Sequence, residues 1–291
     1  MIPAQFDYAR PADIGQALQL LKDREGEAKL LSGGFSLLPL LKLRLAQPGL
    51  LVDLRDVGGL SSIADGDDGL RIGGRVTHRQ IHEDPSVNVR YPLLVDAAKG
   101  IGDPQIRNWG TIGGSCAHAD PSADWPAVFI ATRATIVCRS LDGEREIAAR
   151  DFFLDTFTTA IEPTEILTEV RIPAPQQGGG GAYRKLERRT GDFATVGVAV
   201  QLRLDGDGTI AEAGIGLTAV AETPFAATDA EQVLIGIAPV HDAFRRAGEA
   251  AAAQSRPVAD GHGPAEYKRA MVAEMTARAL DAAVGRALAG R

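Results

Sequence analysis

The chain has 291 residues, of which 45% are hydrophobic and 24% are charged, a composition that suits one large or two medium-sized globular domains. Its formal net charge of −7 argues against general binding to nucleic acid or to an acidic membrane surface, because both favour basic proteins. The first residues show no signal-peptide pattern, and no apolar stretch is long enough to span a membrane, so a cytoplasmic location is expected.

The N-terminal part of the sequence predicts alternating helices and strands. Apolar residues at helical spacing predict a helix that follows Asp13, a candidate N-cap. The run AKLL predicts a strand, which leads into the Gly33–Gly34 pair and then into a helix with Pro39 in its first turn. Further strands are predicted in GLLVDL and LRIGGRVT, and further helices in THRQIHED and YPLLVDAAKGIG.

A second glycine segment, TIGGSCAHADPSAD at 111–124, has no helical or strand period and predicts a loop. The next stretch, DWPAVFIATRATIVCRS, predicts a helix that runs into a strand. The run QQGGGG at 176–181 predicts a linker, because four consecutive glycines impose little on the backbone. We therefore place a domain boundary between residues 177 and 178, which gives domains 1–177 and 178–291.

The C-terminal part predicts a sheet backed by helices. FATVGVAVQLRL, DGDG and TIAEAGIGLTAVA predict two strands joined by a turn. Two helical stretches follow, the last from about Pro264 to Leu288. The whole chain is therefore expected to be of the mixed α+β class.

Two motifs suggest chemistry that their context does not support. A G-x-G-x-x-A pattern at Gly214, Gly216 and Ala219 lies inside an alternating strand with no helix after it, which argues against a dinucleotide-binding turn. His78 and His82 are four residues apart on a predicted helix and could share a metal ion. No third ligand is evident, so solvent-exposed histidines are the expected outcome.

A nucleophilic enzyme is a further alternative. Ser115, Cys116, His118 and Asp120 include the residue types of a catalytic triad, but they are close in sequence and no G-x-S-x-G motif is present. A hydrolase therefore stays only as an alternative. The two cysteines, Cys116 and Cys138, cannot supply the four thiolates of an iron–sulfur cluster and are expected to be free thiols.

The two Gly-Gly segments are better explained by anion binding. Successive N–H groups with no Cβ atoms in the way can surround a pyrophosphate, and the start of a helix adds partial positive charge. A Gly-Gly pair alone can be merely a tight turn, but hydroxyl groups flank both pairs, and Asp124 offers a carboxylate suited to ribose. The flanking hydroxyl residues are Ser32, Ser36, Thr111 and Ser115.

With these segments identified, the sequence resembles the FAD-binding medium subunits of the xanthine dehydrogenase family of molybdenum hydroxylases, and within it the carbon monoxide dehydrogenase group. The resemblance spans essentially the whole chain. It is carried by FDYARP at 6–11, SGGFSLLP at 32–39, DPQIRNWGTIGGSCAHADPSAD at 103–124, YRKLERRTGDFATV at 183–196 and IGLTAVAETP at 215–224.

The resemblance implies a fold and a cofactor. The fold would be an FAD-binding domain in two α+β lobes, of the vanillyl-alcohol-oxidase (PCMH) type, followed by a smaller α+β C-terminal domain. Asp124 matches the ribose-binding aspartate of the family. Phe35 and Phe193 stand where relatives have polar residues. No catalytic side chain and no metal ligand is assigned. On the family pattern, the FAD-binding residues would be Leu30, Leu31, Ser32, Gly33, Gly34, Phe35, Ser36, Leu37, Ile101, Gly102, Thr111, Gly113, Gly114, Ser115, His118, Asp124, Ile166, Leu167, Lys185 and Phe193.

The resemblance also implies an electron-transfer subunit. Substrate would be oxidised at a molybdenum cofactor on a large subunit, and electrons would pass through [2Fe-2S] clusters on a small subunit to FAD on this chain, which an external acceptor would reoxidise. The complex would be a dimer of heterotrimers. Two alternatives stay open: a stand-alone FAD-dependent oxidoreductase, and a non-catalytic protein that binds FAD or another nucleotide.

Overall fold

The N-terminal lobe contains a small parallel sheet. In the computed structural model, which describes residues 1–290, its elements are β1 (Asp7–Ala9), α1 (Ile14–Asp23), β2 (Ala28–Leu31), α2 (Leu37–Lys42) and β3 (Leu50–Asp53). The strand order is β1-β3-β2, and Leu50 lies opposite both Asp7 and Ala28. Because β2 and β3 are parallel, α2 forms the crossover between them, and the first glycine segment lies at the carboxyl end of β2.

The predicted helix after Asp13 is confirmed. The Asp13 side chain accepts a hydrogen bond from the N–H of Gln16, which satisfies one of the free donors at the start of α1. On its inner face α1 buries Ala17, Leu18 and Leu21 against the sheet. The amphipathic spacing seen in the sequence therefore marks the face that forms the core of this lobe.

A five-stranded antiparallel sheet forms the second lobe. Its elements are β4 (Ile63–Gly66), β5 (Gly69–Gly73), α3 (His78–Glu83), α4 (Pro85–Arg90), α5 (Pro92–Gly100), α6 (Pro104–Trp109), α7 (Ile112–His118), α8 (Asp124–Ala131), β6 (Thr135–Ser140), β7 (Gly143–Ala148), α9 (Ala149–Phe152), β8 (Phe153–Asp155), β9 (Thr158–Thr159) and β10 (Ile166–Pro173). The strand order is β4-β5-β10-β6-β7, and β8 pairs with β9 alone. Strand β10 therefore returns from the end of this lobe to the centre of its sheet.

The C-terminal part is a sheet backed by helices, as the sequence predicts. Its elements are β11 (Gly179–Leu186), β12 (Val196–Leu204), β13 (Ile210–Thr218), β14 (Phe225–Ala226), α10 (Thr228–Leu234), α11 (His241–Gln254) and α12 (Ala265–Ala289). The four strands are antiparallel in chain order, and α12 packs on β11 and β12. The α+β class with two lobes and a further domain is confirmed. None of the helices within residues 1–290 combines the length and hydropathy that crossing a bilayer requires.

The prediction that QQGGGG forms a linker is wrong. Gly179–Gly181 begin strand β11 and pair with β12. A Cβ atom added at Gly180 would overlap the carbonyl oxygen of Ala283 on α12, so the missing side chain lets the helix approach the strand. These glycines therefore serve close packing and not flexibility. The boundary between residues 177 and 178 stays a prediction.

Helix α8 lies between the two parts of the chain. All eight of its residues are buried, as expected for a helix that is apolar on every side, and it packs on β12 and β13. Cβ atoms added at Gly214 and Gly216 on β13 would overlap the carbonyl oxygens of Ala131 and Ala127. The G-x-G-x-x-A pattern is thus a strand surface on which α8 packs, as its alternating context indicates.

Two glycine substitutions test this packing. Gly216→Ala is expected to lower the free energy of unfolding by about 1–3 kcal/mol, because the new methyl group overlaps the backbone of α8. Gly285→Ala is the matched control, since nothing lies within 4 Å of its added Cβ, and it should stabilise α12 by about 0.5–1 kcal/mol. Urea unfolding of both variants provides the measurement. Similar changes in both would contradict the packing assigned to Gly216.

Candidate cofactor site

The first glycine segment presents a row of free backbone donors. Between β2 and α2, the N–H groups of Gly33, Gly34, Phe35 and Ser36 donate no hydrogen bond to any group in residues 1–290. Gly34 has a φ of 87°, in the left-handed region that favours glycine. Four successive unpaired donors at the carboxyl end of a parallel strand form an arrangement suited to an anion.

The backbone of a neighbouring segment holds this turn in place. A Cβ atom added at Gly33 would overlap the carbonyl oxygen of Trp109 and would come within 3.1 Å of the Cα of Gly110. The hydroxyl oxygens of Ser32 and Thr111 lie 3.1 Å apart. The two glycine segments are therefore adjacent, as the prediction of one ligand between them requires.

The second glycine segment is not a loop, so that prediction is wrong. Residues 112–118 form α7, and Thr111 caps it by accepting a hydrogen bond of 3.1 Å from the N–H of Gly114. The N–H groups of Gly113 and Ser115 bond to the carbonyls of Gly74 and Thr111. These backbone donors are already used, so α7 has only side-chain hydroxyls left for a ligand. In the described chain the hydroxyl of Ser115 has no partner.

Gly74 explains why α7 begins with glycines. The N–H of Gly113 donates to the Gly74 carbonyl over 2.9 Å, and a Cβ atom added at Gly113 would come within 2.6 Å of that oxygen. A Cβ atom added at Gly74 would in turn overlap the carbonyl oxygen of Leu167. The chain thus stacks three backbone segments here, which brings Leu167 of β10 beside α7.

Asp124 lies at the start of α8 in a buried polar cluster. Its Oδ1 accepts a hydrogen bond of 2.6 Å from the Tyr183 hydroxyl, and its Oδ2 accepts one of 3.2 Å from Lys185 Nζ. Burial raises the pKa of Asp124, while the Lys185 ammonium and the Tyr183 hydroxyl oppose this shift. Burial and the Asp124 charge raise the pKa of Tyr183, so its hydroxyl stays protonated and donates.

Lys185 connects this cluster to a turn that the sequence also singles out. Its Nζ donates to the carbonyl of Gly100 over 3.0 Å, at the end of α5. The next residues are Ile101, which is buried, and Gly102, which has a φ of 46°. Gly191 packs against Gly102, since a Cβ atom added at Gly191 would lie 3.0 Å from the Gly102 carbonyl. Lys185, Ile101 and Gly102 are therefore brought together.

The two aromatic residues among the predicted contacts are exposed. Phe35 follows Gly34 and is 43% exposed, while Phe193 lies two residues beyond Gly191 and is 56% exposed. Both rings are therefore accessible to a ligand.

Other predicted residues have structural neighbours. Leu30 packs against the core of the first lobe, to which Ile166 also belongs, and Leu31 and Leu37 are partly buried on either side of the first glycine segment. The His118 ring packs on Phe157, with 5.0 Å between ring centroids. His118 is the last residue of α7 and lies within the second glycine segment.

The sequence predicts that His78 is exposed to solvent, but the structure shows that its side chain is buried. Its Nδ1 accepts a hydrogen bond of 2.9 Å from Trp125 Nε1, and because an indole N–H can only donate, the ring proton must lie on Nε2. His82 is partly buried, and the described part of the chain contains no group of three or more residues that could hold a metal ion. The metal-site alternative therefore has no support.

The residues of the possible triad do not form one. Cys116 is completely buried, and burial raises the pKa of its thiol. Asp120 accepts a hydrogen bond from the N–H of Ser122. Cys116 and Cys138 are both free, as predicted. A buried protonated thiol is a poor nucleophile, and the Ser115 hydroxyl has no hydrogen-bond partner among residues 1–290 that could act as its base, so the hydrolase alternative has no support.

Two family models match the chain. The first, described as the FAD-binding domain in molybdopterin dehydrogenase, matches residues 4–175, and the second, the CO dehydrogenase flavoprotein C-terminal domain, matches residues 181–283. The chain belongs to the FAD-binding medium-chain family of the molybdenum hydroxylases. The carbon monoxide dehydrogenase medium chain of Hydrogenophaga pseudoflava is 43% identical over 286 residues, which cover 98% of this chain and 99% of that relative.

Solved structures of the family have the same fold. A carbon monoxide dehydrogenase from Hydrogenophaga pseudoflava superposes with a TM-score of 0.95 at 45% identity, over 98% of this chain and 99% of that one. Quinoline 2-oxidoreductase from Pseudomonas putida superposes with a TM-score of 0.92 at 34% identity, over 99% of this chain and the whole of that one. The likeness therefore includes both lobes and the C-terminal domain.

The residues present fit the family's flavin dinucleotide. The four unpaired N–H groups from Gly33 to Ser36 are suited to a diphosphate, and the unpaired hydroxyl of Ser115 lies on the adjacent segment. Both Asp124 oxygens have donors, yet a carboxylate oxygen can accept a second hydrogen bond, so Asp124 can still bind a ribose hydroxyl. The site therefore offers hydrogen-bond donors and a carboxylate acceptor for a dinucleotide.

Sequence reasoning missed several residues that build this site. Gly74 belongs to another Gly-Gly pair, three residues before the capping box of Thr77 and Gln80, and glycine pairs before a helix start are compatible with a tight backbone contact. Gly110 lies against both Gly33 and the His78 ring. It precedes the N-cap Thr111, but nothing in its local pattern reveals a contact with a residue so distant in sequence.

The burial of His78 predicts a pH effect on stability. Burial, with a smaller contribution from the Arg107 charge, lowers the pKa of His78 from 6.5 to about 4. The unfolded chain keeps an ordinary histidine pKa and therefore binds more protons than the native chain between these values. The free energy of unfolding should fall as the pH falls through this window, by about 2 kcal/mol for this residue between pH 7 and pH 5.

Urea unfolding at pH 7 and pH 5 checks this effect. The wild-type chain should lose about 2 kcal/mol more than a His78→Gln variant over this interval, because glutamine does not titrate. His82→Gln is the matched control on the same helix, and it should behave as the wild type. The same pH dependence in His78→Gln and the wild type would contradict the neutral, buried state of His78.

Proposed function

We propose that this chain is the electron-transfer flavoprotein subunit of a molybdenum hydroxylase complex. The observation that carries the proposal is the row of four unpaired N–H donors from Gly33 to Ser36, in a chain that belongs to the FAD-binding medium-chain family. Bound FAD would supply the redox chemistry by storing two electrons. The protein would bind the cofactor, orient it and limit its contact with water.

The remaining redox centres would belong to partner subunits. The chain has only two cysteines and so cannot by itself hold a cysteine-ligated iron–sulfur cluster. Its relatives include proteins described as medium chains, and a solved carbon monoxide dehydrogenase of the same fold is described as a Cu,Mo enzyme. We infer a small [2Fe-2S] subunit, a large molybdenum subunit and a dimer of heterotrimers in the cytoplasm, with electrons passing from the clusters to FAD and on to an external acceptor.

The predicted contacts are divided between backbone and side chains in this proposal. The N–H groups of Gly33 to Ser36 would hold the diphosphate, and the hydroxyl of Ser115 would add a donor from α7. Asp124 would accept from the ribose. Ile101 and Gly102 would contact the cofactor from the turn that follows α5, and Phe193 would cover it from the opposite segment.

Purification of the chain with added FAD tests the cofactor assignment. The wild-type chain should show the two-band visible spectrum of bound flavin, and dithionite should bleach it. Gly33→Ala should raise the dissociation constant for FAD by at least about tenfold, because the added methyl group overlaps the Trp109 carbonyl and displaces the turn. Gly58→Ala is the control, since nothing lies within 4 Å of its added Cβ.

Co-expression with partner subunits tests the electron-transfer role. Reduced flavin on this chain should appear when the complex oxidises its substrate, and only if a cluster-bearing subunit is present. Turnover of a small substrate by the purified chain alone would favour a stand-alone oxidoreductase. Failure to bind FAD both alone and in the complex would overturn the proposal.

A further inference from the structure

Three consecutive backbone carbonyls at the end of α5 accept hydrogen bonds from cationic side chains. Lys185 Nζ donates to Gly100 over 3.0 Å. Arg107 Nη1 donates to both Ile101 and Gly102, over 2.9 Å and 2.7 Å. Hydrogen bonds from charged donors are stronger than neutral ones, particularly where water is partly excluded. The backbone of this turn is therefore held from two sides.

This contact determines which way the peptide groups of the turn face. In a planar trans peptide the C=O and N–H bonds point in opposite directions, so the N–H of Gly102 points away from the Arg107 guanidinium that binds the Ile101 carbonyl. No acceptor for this N–H occurs among the residues that the structure describes. Gly102 has a φ of 46°, in the left-handed region that favours glycine, and a Cβ atom added there would lie 2.8 Å from the Ile106 side chain.

The Ile101–Gly102 turn lies at one end of a short helix, and the diphosphate cradle, which we define as the turn from Gly33 to Ser36 with its four unpaired N–H groups, lies near the other end. α6 spans Pro104–Trp109, which is about 9 Å at 1.5 Å per residue. Its end leads into Gly110, which packs against Gly33 in the cradle, and its start follows directly from Gly102. A dinucleotide anchored at the cradle can therefore extend along α6 to the turn.

We propose that Arg107 is a positioning residue, which fixes the Ile101–Gly102 turn so that its unpaired N–H faces the flavin ring and favours the reduced cofactor. This inference rests on the proposed function, because it assumes that FAD occupies the site. Reduction adds negative charge to the flavin ring system, and an oriented backbone donor stabilises negative charge. Arg107 itself would act through the backbone and not as a catalytic group.

Three variants of the purified chain, studied with added FAD, test the inference. The readouts are the dissociation constant for oxidised FAD and the two-electron midpoint potential of the bound flavin. Arg107→Met should weaken binding of reduced FAD relative to oxidised FAD by about tenfold, which lowers the potential by about 30 mV. Arg107→Gln, which keeps an amide donor without the charge, should lower the potential by less than Arg107→Met does.

Lys99→Met is the matched control, because Lys99 is an exposed cation next to the turn and has no hydrogen-bond or ion-pair partner among residues 1–290. It should leave the potential unchanged. A shift in Lys99→Met as large as that in Arg107→Met would show that only net charge matters and would overturn the inference. So would an unchanged potential in Arg107→Met, whether its affinity for FAD falls or not.

Two comparisons distinguish a failure of folding or of FAD binding from a failure of the role proposed for Arg107. If circular dichroism shows that Arg107→Met does not fold, the comparison uses Arg107→Gln instead. A flavin potential lower in Arg107→Gln than in Lys99→Met supports the inference, and equal potentials in the two variants overturn it. If the wild-type chain binds no FAD alone or in the complex, the proposed function fails first. If all variants bind FAD with one potential, only the role of Arg107 fails.

Discussion

The buried contact between Asp124 and Lys185 is the interaction on which the candidate site depends. Asp124 begins α8 in the FAD-binding part of the chain, and Lys185 lies on β11 in the C-terminal domain, with side chains only 6% and 7% exposed. Removing one partner of such a pair typically costs about 3–5 kcal/mol, because the other charge stays buried without compensation. Since Lys185 also binds the Gly100 carbonyl, the C-terminal sheet directly holds a turn of the site. The C-terminal domain thus contributes structurally to the candidate cofactor site.

Close backbone contacts complete this arrangement. Gly33 packs against Trp109, Gly113 against Gly74, and Gly216 against α8, and in each case a methyl group would collide with backbone atoms. Backbone atoms cannot rotate away as a long side chain can, so these contacts fix the distances between segments. At these three positions glycine permits close contacts between backbone segments, whereas Gly34 and Gly102 adopt positive φ angles that favour glycine.

The sequence predicts most elements because their signals are local. Asp13 caps α1 as expected, and the alternating pattern around Gly214 and Gly216 forms β13. The conformation of the glycine segments is less predictable from the sequence, because glycine occurs in turns, in linkers and at sites of close packing. Gly179–Gly181 lie in strand β11, and α12, a helix distant in sequence, packs on Gly180. Likewise α7 is helical because Gly74 accepts from Gly113, a contact between residues 39 positions apart that no local pattern encodes.

The site residues were named from the family resemblance, but their physical roles come from the structure. The two glycine pairs look equivalent in sequence, yet only the first leaves its backbone donors free, while the second uses them to start a helix. The exposed Phe35 and Phe193 belong to none of the three hydrophobic cores, so changes there cost little stability.

Groups with intrinsic reactivity are instead buried and held in an inactive form. Cys116 is protonated within the core, and His78 is kept neutral by burial beside Trp125. What is left at the surface of the site is mainly backbone N–H and hydroxyl groups, which bind and orient but do not react. In the proposed function, the chain would therefore rely on bound FAD for redox chemistry and would supply binding and orientation.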